Sequence, residues 1–200
     1  MQNIISLDEK VFYFFNSIVG ENSFLDFIVK ILAVYVVYLV PIIFLICWFY
    51  PTSPRLRGAS EKTQKFLIEM LAASVISWQV IARVVGVLIN RPRPEAFAGT
   101  KELLFHPPTY AFPSDHALFL MFLTTYLYLY GYKKWGNIAL FLTIVVSISR
   151  VIAGFHWPGD VLAGWVIGGM LAYLFYSIRK YIEKYIVNPL YWLAKKVKLI

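Results

Sequence analysis

Ile31 to Tyr50 carries no charged side chain over twenty residues, and a helix of that length rises about 30 Å, the thickness of a bilayer's hydrocarbon core. The run is predicted to span a membrane, with Pro41 inside it, as membrane helices allow. Four more apolar runs follow, Phe66–Asn90, Ala117–Tyr132, Trp135–Ser149 and Val161–Ile178. Residues that are 60% hydrophobic and only 15% charged leave too little polar surface for a soluble domain, where about 25% charge is usual. The expected fold is therefore an all-α polytopic membrane helical bundle, a single integral membrane domain over 1–200. It has about five transmembrane helices plus amphipathic N- and C-terminal helices.

The charges that remain are distributed unevenly, which predicts an orientation. Arg55, Arg57, Lys62 and Lys65 fall in the loop Pro51–Lys65, and Lys133 and Lys134 in a second. Arg179, Lys180, Lys184, Lys195, Lys196 and Lys198 fall in the tail. With five spans these three segments share one side, which the excess of Lys and Arg makes cytoplasmic. The acidic N-terminus, the loop Arg91–Pro113 and the turn Gly154–Gly159 then share the extracytoplasmic side. In the tail Tyr191, Trp192 and Leu193 interleave with the lysines. That pattern predicts an amphipathic helix on an anionic leaflet, so the net charge of +8 does not indicate nucleic acid. Residues 1–26 place Asp8, Glu9, Glu21 and Asp26 around Val11–Phe15, without the basic start and cleavage site of a signal peptide. A short interfacial packing helix without a catalytic role is expected there. Glu69 is expected to be paired or to reach an interface, and the lone Cys47 allows no intramolecular disulfide.

Three polar clusters stand at the edges of the apolar runs. Ser149-Arg150 is followed by Gly154-Phe155-His156-Trp157-Pro158-Gly159-Asp160. Pro158 suits the first turn of a helix, and Asp160 in that turn suits the positive end of the dipole and can reach back to His156. A carboxylate behind an imidazole fixes its tautomer and raises its basicity. Arg150 presents a fork of donors for phosphate oxygens. Phe112-Pro113-Ser114-Asp115-His116 opens another run, where helix N–H groups are ready for an anion. Arg91-Pro92-Arg93-Pro94 closes the run that carries Arg83, and His106 lies in the loop between these two clusters.

Together the clusters resemble the three signature motifs of the type 2 phosphatidic acid phosphatase superfamily, in that family's order, across about residues 80–165. Ser149, Arg150, His156 and Asp160 match every fixed position of the third motif. The second motif is usually Pro-Ser-Gly-His, and Asp115 in place of the glycine resembles the bacterial branch that hydrolyses undecaprenyl pyrophosphate. The first, Lys, six residues, Arg-Pro, lacks its lysine: seven before Arg91 stands Val84, seven before Arg93 stands Gly86, and Arg83 is the nearest substitute.

The resemblance implies a membrane lipid phosphatase working through a phosphohistidine on His156, oriented by Asp160, with His116 as the acid that protonates the leaving group and later activates water. Arg150, Arg91 and Arg83 would bind phosphate with Ser114, and Arg93 would meet a second phosphate or face solvent at the rim. Asp115 would orient an arginine or bond to backbone. The substrate implied is undecaprenyl pyrophosphate, cleaved to undecaprenyl phosphate in recycling the lipid carrier of cell wall synthesis. The alternatives are a phosphatidylglycerophosphate or phosphatidic acid phosphatase of the same family, and a non-catalytic membrane scaffold or transporter. No metal and no cofactor is expected, since arginines interleaved with the His and Asp side chains repel a cation. The partners expected are the polyprenyl or glycerolipid phosphate and the bilayer, and the sequence offers no support for an oligomer.

Overall fold

The computed structural model describes residues 2–49, 57–104 and 110–197. Arg55, His106 and Lys198 lie outside the described residues. Helix α1 is Gln2–Asn16. Helix α2 runs over Ser23–Phe49, capped by Asn22, whose Oδ1 accepts from the Phe24 and Leu25 N–H groups. Its winding loosens to a π turn at Ile31–Tyr35 and tightens to a 3₁₀ turn at Val36–Tyr38. Pro41 falls just after the 3₁₀ turn and has no N–H for the Val37 carbonyl inside it, which its ring also crowds. Helix α3 is built from Arg57–Val75, a π segment Ile76–Ala82 and Arg83–Ile89. It begins well before the expected Phe66, since Arg57 to Lys65 is helical and not a loop, with Glu61 and Lys65 paired one turn apart.

Helices α4 (Asp115–Leu129), α5 (Lys133–Ile152) and α6 (Pro158–Ser177) follow. The tail helix α7 is built from Arg179–Ile182, Glu183–Val187 and Asn188–Lys196. It is amphipathic as expected: Ile182, Val187 and Tyr191 are buried with Ile68 of α3, while Tyr185 and Trp192 stay exposed with Lys184 and Lys196 over their rings.

Among the described residues four helices, α2, α3, α5 and α6, are long and apolar enough to cross a membrane. Their outer faces are bare: Ile46 of α2 is 60% exposed and Leu88 of α3 is 78% exposed, a surface only lipid can cover. The fifth expected span, Ala117–Tyr132, is α4. Its 15 residues rise about 22 Å, and Tyr130 and Gly131, the latter at φ +81°, turn the chain back. This helix is the core of the bundle, with Ala117, Leu118, Phe122 and Tyr126 wholly buried. Within it the Tyr126 and Tyr130 hydroxyls both donate to Glu69 Oε1, the pairing a buried carboxylate in an apolar layer needs.

Helices α4 and α6 touch through glycine. A Cβ on Gly164 would lie 2.7 Å from the Ser114 carbonyl oxygen and one on Gly168 2.3 Å from that of Leu118. Small residues four apart let two backbones meet and gain dispersion that larger side chains would prevent. Gly168→Ala therefore has no space and should destabilise the bundle by about 1–3 kcal/mol. At Gly169 the nearest atom, Thr125 Oγ1, is 3.7 Å away, and Gly169→Ala should stay within about 0.5 kcal/mol of wild type. Thermal unfolding of both variants in one detergent checks this, and equal midpoints would disprove the close contact.

Candidate active site

The three polar clusters, up to 69 residues apart, meet at the N-terminal ends of α4 and α6. Ser114 N–H donates to the Asp160 carbonyl at 3.0 Å, which ties the two helix starts together. The Ala111 N–H donates to the Arg91 carbonyl at 2.8 Å, and the Trp157 indole donates to the Pro92 carbonyl at 3.0 Å. The first cluster is thereby bound to the other two.

His156 sits in the turn between α5 and α6 with 1% of its surface exposed. Its Nδ1 is 2.9 Å from the Ala111 carbonyl oxygen. A carbonyl only accepts, so Nδ1 carries the proton and Nε2 keeps its lone pair. Nε2 is 3.4 Å from Nη2 of Arg150 and 3.8 Å from Oδ1 of Asp115. Burial, and after it the positive charges of Arg150 and Arg93, hold the imidazole's pKa well below its usual value. The ring is thus a neutral base with its free nitrogen turned toward a guanidinium, which suits attack on an arginine-bound oxyanion's central atom.

Asp160 does not orient His156 in the way expected. Its Oδ2 is 4.0 Å from Nδ1, beyond hydrogen-bond reach, because both oxygens are engaged elsewhere. Oδ2 accepts the Trp157 N–H at 2.9 Å, and Oδ1 accepts from Arg91 Nη1 at 2.7 Å. The orienting acceptor is the Ala111 carbonyl, which a sequence motif of side chains does not display.

Arg91 likewise departs from its expected place on phosphate. Its other nitrogen, Nη2, meets Asp8 Oδ2 at 2.6 Å, so its fork is filled by two carboxylates. The arginine of this cluster that is buried is Arg93, 5% exposed, with Nη1 donating to the Phe155 carbonyl at 2.8 Å. Both are followed by proline, and the sequence left Arg93 open between a second phosphate and the solvated rim. Arg83 is not brought to the group: it is exposed on α3, and its side chain makes no hydrogen bond or ion pair with another described residue. The position seven before Arg93, Gly86, cannot hold a side chain, because a Cβ there would lie 2.1 Å from the Tyr110 ring and 3.0 Å from the Phe112 carbonyl oxygen. The segment that carries the Ala111 carbonyl is seated in the space a first-motif lysine would occupy.

Asp115 pairs with a histidine and not with an arginine. Its Oδ1 lies 3.1 Å from His116 Nδ1, fixing that ring so that Nε2 is free to exchange a proton. Exposure rises from 2% for Arg150 to 20% for the His116 side chain and 40% for that of Asp115. Arg150 is held by the Ala33 carbonyl at 3.1 Å and by the face of Phe155, 4.4 Å from its guanidinium carbon. Its Nε and the Ser114 Oγ are buried without a hydrogen-bond partner among the described residues. Buried donors left open in this way are costly unless a ligand takes them. A third open atom, Oε2 of Glu95, is a carboxylate oxygen in the field of Arg93 and Arg150, and no motif signalled it. Among the described residues no three His, Cys, Asp or Glu side chains are grouped to hold a metal ion.

A histidine buried in its neutral form links stability to pH. Below about pH 6.5 the unfolded chain binds a proton that folded His156 refuses, so its contribution is complete above that value and drains as pH falls. The unfolding midpoint should drop between pH 7.5 and 5.5, and His156→Gln should flatten the slope. Parallel slopes for the two proteins would contradict the buried neutral ring.

Known proteins share this sequence pattern and this fold. Residues 66–184 match the PAP2 superfamily. The bacitracin transport permease protein BcrC of Bacillus licheniformis is 30% identical over 176 residues, 87% of this chain and 82% of the relative. An undecaprenyl-diphosphatase of Sulfolobus acidocaldarius is 34% identical over 115 residues, 57% of this chain and 55% of its own. The crystal structure of a transmembrane PAP2-type phosphatidylglycerolphosphate phosphatase from Bacillus subtilis superposes with a TM-score of 0.66, covering 92% of this chain and 90% of that one at 24% identity. A family match over more than half of the sequence, on a bundle that superposes with a transmembrane member, settles the family: the chain belongs to the PAP2 superfamily of phosphatases as a multi-pass membrane protein.

Proposed function

We propose that this protein hydrolyses undecaprenyl pyrophosphate to undecaprenyl phosphate and inorganic phosphate, returning a lipid carrier to use in cell wall synthesis. The observation that carries the reading is the neutral His156 with its free Nε2 against Arg150, beside the open donors Arg150 Nε and Ser114 Oγ. The terminal phosphoryl group takes up these donors, with Arg93 adding charge. Nε2 attacks its phosphorus, the bond to the bridging oxygen breaks, and the lipid monophosphate leaves with a proton from His116. A water that gives a proton to His116 then attacks the phosphorus, the phosphorus–nitrogen bond breaks, and inorganic phosphate leaves with the Nε2 lone pair of His156 restored. Asp115 keeps the His116 ring turned for both transfers. Asp160 acts by holding Trp157 and Arg91. Support for the diphosphate lipid comes from Asp115 in the second motif and from the name borne by the archaeal relative.

Phosphate release from undecaprenyl pyrophosphate, phosphatidylglycerophosphate and phosphatidic acid, measured side by side on the purified protein, tests the substrate. The first should have the highest kcat/KM, and His156→Ala should lose several orders of magnitude in kcat while remaining folded. Preference for either glycerolipid would replace the substrate, and turnover in His156→Ala would remove the phosphohistidine.

The basic loops and tail support an orientation with the site on the extracytoplasmic face and the C-terminus in the cytoplasm. A cysteine at Thr100, with Cys47 replaced by Ser, should react with an impermeant maleimide from outside intact cells. Labelling only after the cytoplasmic face is opened would reverse the orientation.

A further inference from the structure

Helix α1 lies across the turn that carries His156 and grips it at both ends. At one end Asn16, 1% exposed, donates from Nδ2 to the Ile152 carbonyl at 2.9 Å and to that of Lys101 at 2.8 Å. Its Oδ1 accepts the Lys101 N–H at 2.8 Å. At the other end Asp8 Oδ1 accepts the Gly159 N–H at 2.7 Å while Oδ2 meets Arg91 Nη2 at 2.6 Å. Between them Phe12, wholly buried, packs on the Trp157 ring at 4.9 Å.

The Asp8 contacts have a chemistry that packing alone does not require. Helix α6 starts behind Trp157, whose side chain has no oxygen to cap the first turn, so the acceptor that Ser or Asp would supply locally comes from another helix. Asp160 already neutralises Arg91, and a second carboxylate leaves this clasp with a net negative charge beside a site for anions, which disfavours substrate binding. What Asp8 provides in return is geometry. With Asp160 on the Trp157 N–H and Asp8 on the Gly159 N–H, both sharing Arg91, the residues on either side of Pro158 are fixed to one guanidinium, one residue beyond His156.

From this we infer that Asp8 is a positioning residue of the reaction, acting through Arg91 and the first turn of α6 to hold the His156 turn in the geometry for attack. The inference rests on His156 being the nucleophile, and it revises the expectation that the N-terminal helix only packs. Displacement of a reacting atom by about 1 Å costs on the order of 100-fold, and this sets the scale of the effect.

The test uses the full chain in detergent–lipid micelles, with the lipid that wild type cleaves among undecaprenyl pyrophosphate, phosphatidylglycerophosphate and phosphatidic acid. Asp8→Asn should lower kcat by about 10- to 100-fold, with KM unchanged or lower and the unfolding midpoint shifted by no more than a few degrees. Asp8→Glu should recover most of the lost rate. In Arg91→Gln the further change Asp8→Asn should add almost nothing, because the two act as a unit. Wild-type kcat in Asp8→Asn beside an inactive His156→Ala overturns the inference and leaves the phosphatase reading standing. A loss that follows the unfolding midpoint and is not recovered by Glu makes Asp8 merely structural and also overturns it. Turnover in His156→Ala overturns the inference and the mechanism together.

Discussion

Two helix backbones in direct contact set the position of everything at the reactive end of the bundle. Gly164 and Gly168 let α6 lie against the carbonyls of Ser114 and Leu118, and at that distance the Ser114 N–H reaches the Asp160 carbonyl. The starts of α4 and α6 become one unit, which brings the second polar cluster beside the third. A methyl group at either glycine would separate them by more than the tolerance of a hydrogen bond. In an apolar bundle without water to repair the loss, that separation would open the site.

Arg91 and Arg150 differ in how their charges are met. Arg91 is matched by Asp8 and Asp160, and that clasp supports the turn. Arg150 makes no ion pair within 4.0 Å among the described residues, and has only a carbonyl and an aromatic face. Cation–π attraction in a desolvated place returns about 2 kcal/mol, against a desolvation penalty of several kcal/mol for a buried ion. The deficit is what an oxyanion would make good, and a neutral imidazole beside it adds no charge to compete. In the proposed mechanism, affinity for an anion and a neutral nucleophile thus come from the same burial.

Much of the chemistry was legible as residue type. His156, His116, Arg150 and Ser114 stand together where the sequence motifs placed them, and the membrane runs were legible because a bilayer demands long uninterrupted apolarity. Pairings were less legible. Asp160 was expected on His156 from a spacing of four, yet its oxygens face Trp157 and Arg91. Asp115 was ambiguous because a carboxylate beside a histidine and two arginines has several partners within reach. Arg83 and Arg93 could not be ranked by distance along the chain, since burial and not register separates an arginine inside the bundle from one on an outer helix face.

The sequence by itself determined the class of the protein: apolar run length sets the spans, and side-chain chemistry at their edges sets the reaction type. Tertiary structure alone decided which acceptor holds His156, because that acceptor is a backbone carbonyl, at Ala111, common to every residue and marked by none. It also decided that Tyr110 fills the place of the first-motif lysine, through contact at Gly86 across 24 residues of chain. The N-terminal helix gave no sign of its bearing on the site, since Asp8 and Asn16 are ordinary polar residues until α1 is laid over the turn. Hydrogen bonds between distant segments depend on positions to a fraction of an ångström, and packing sets those positions where pattern does not.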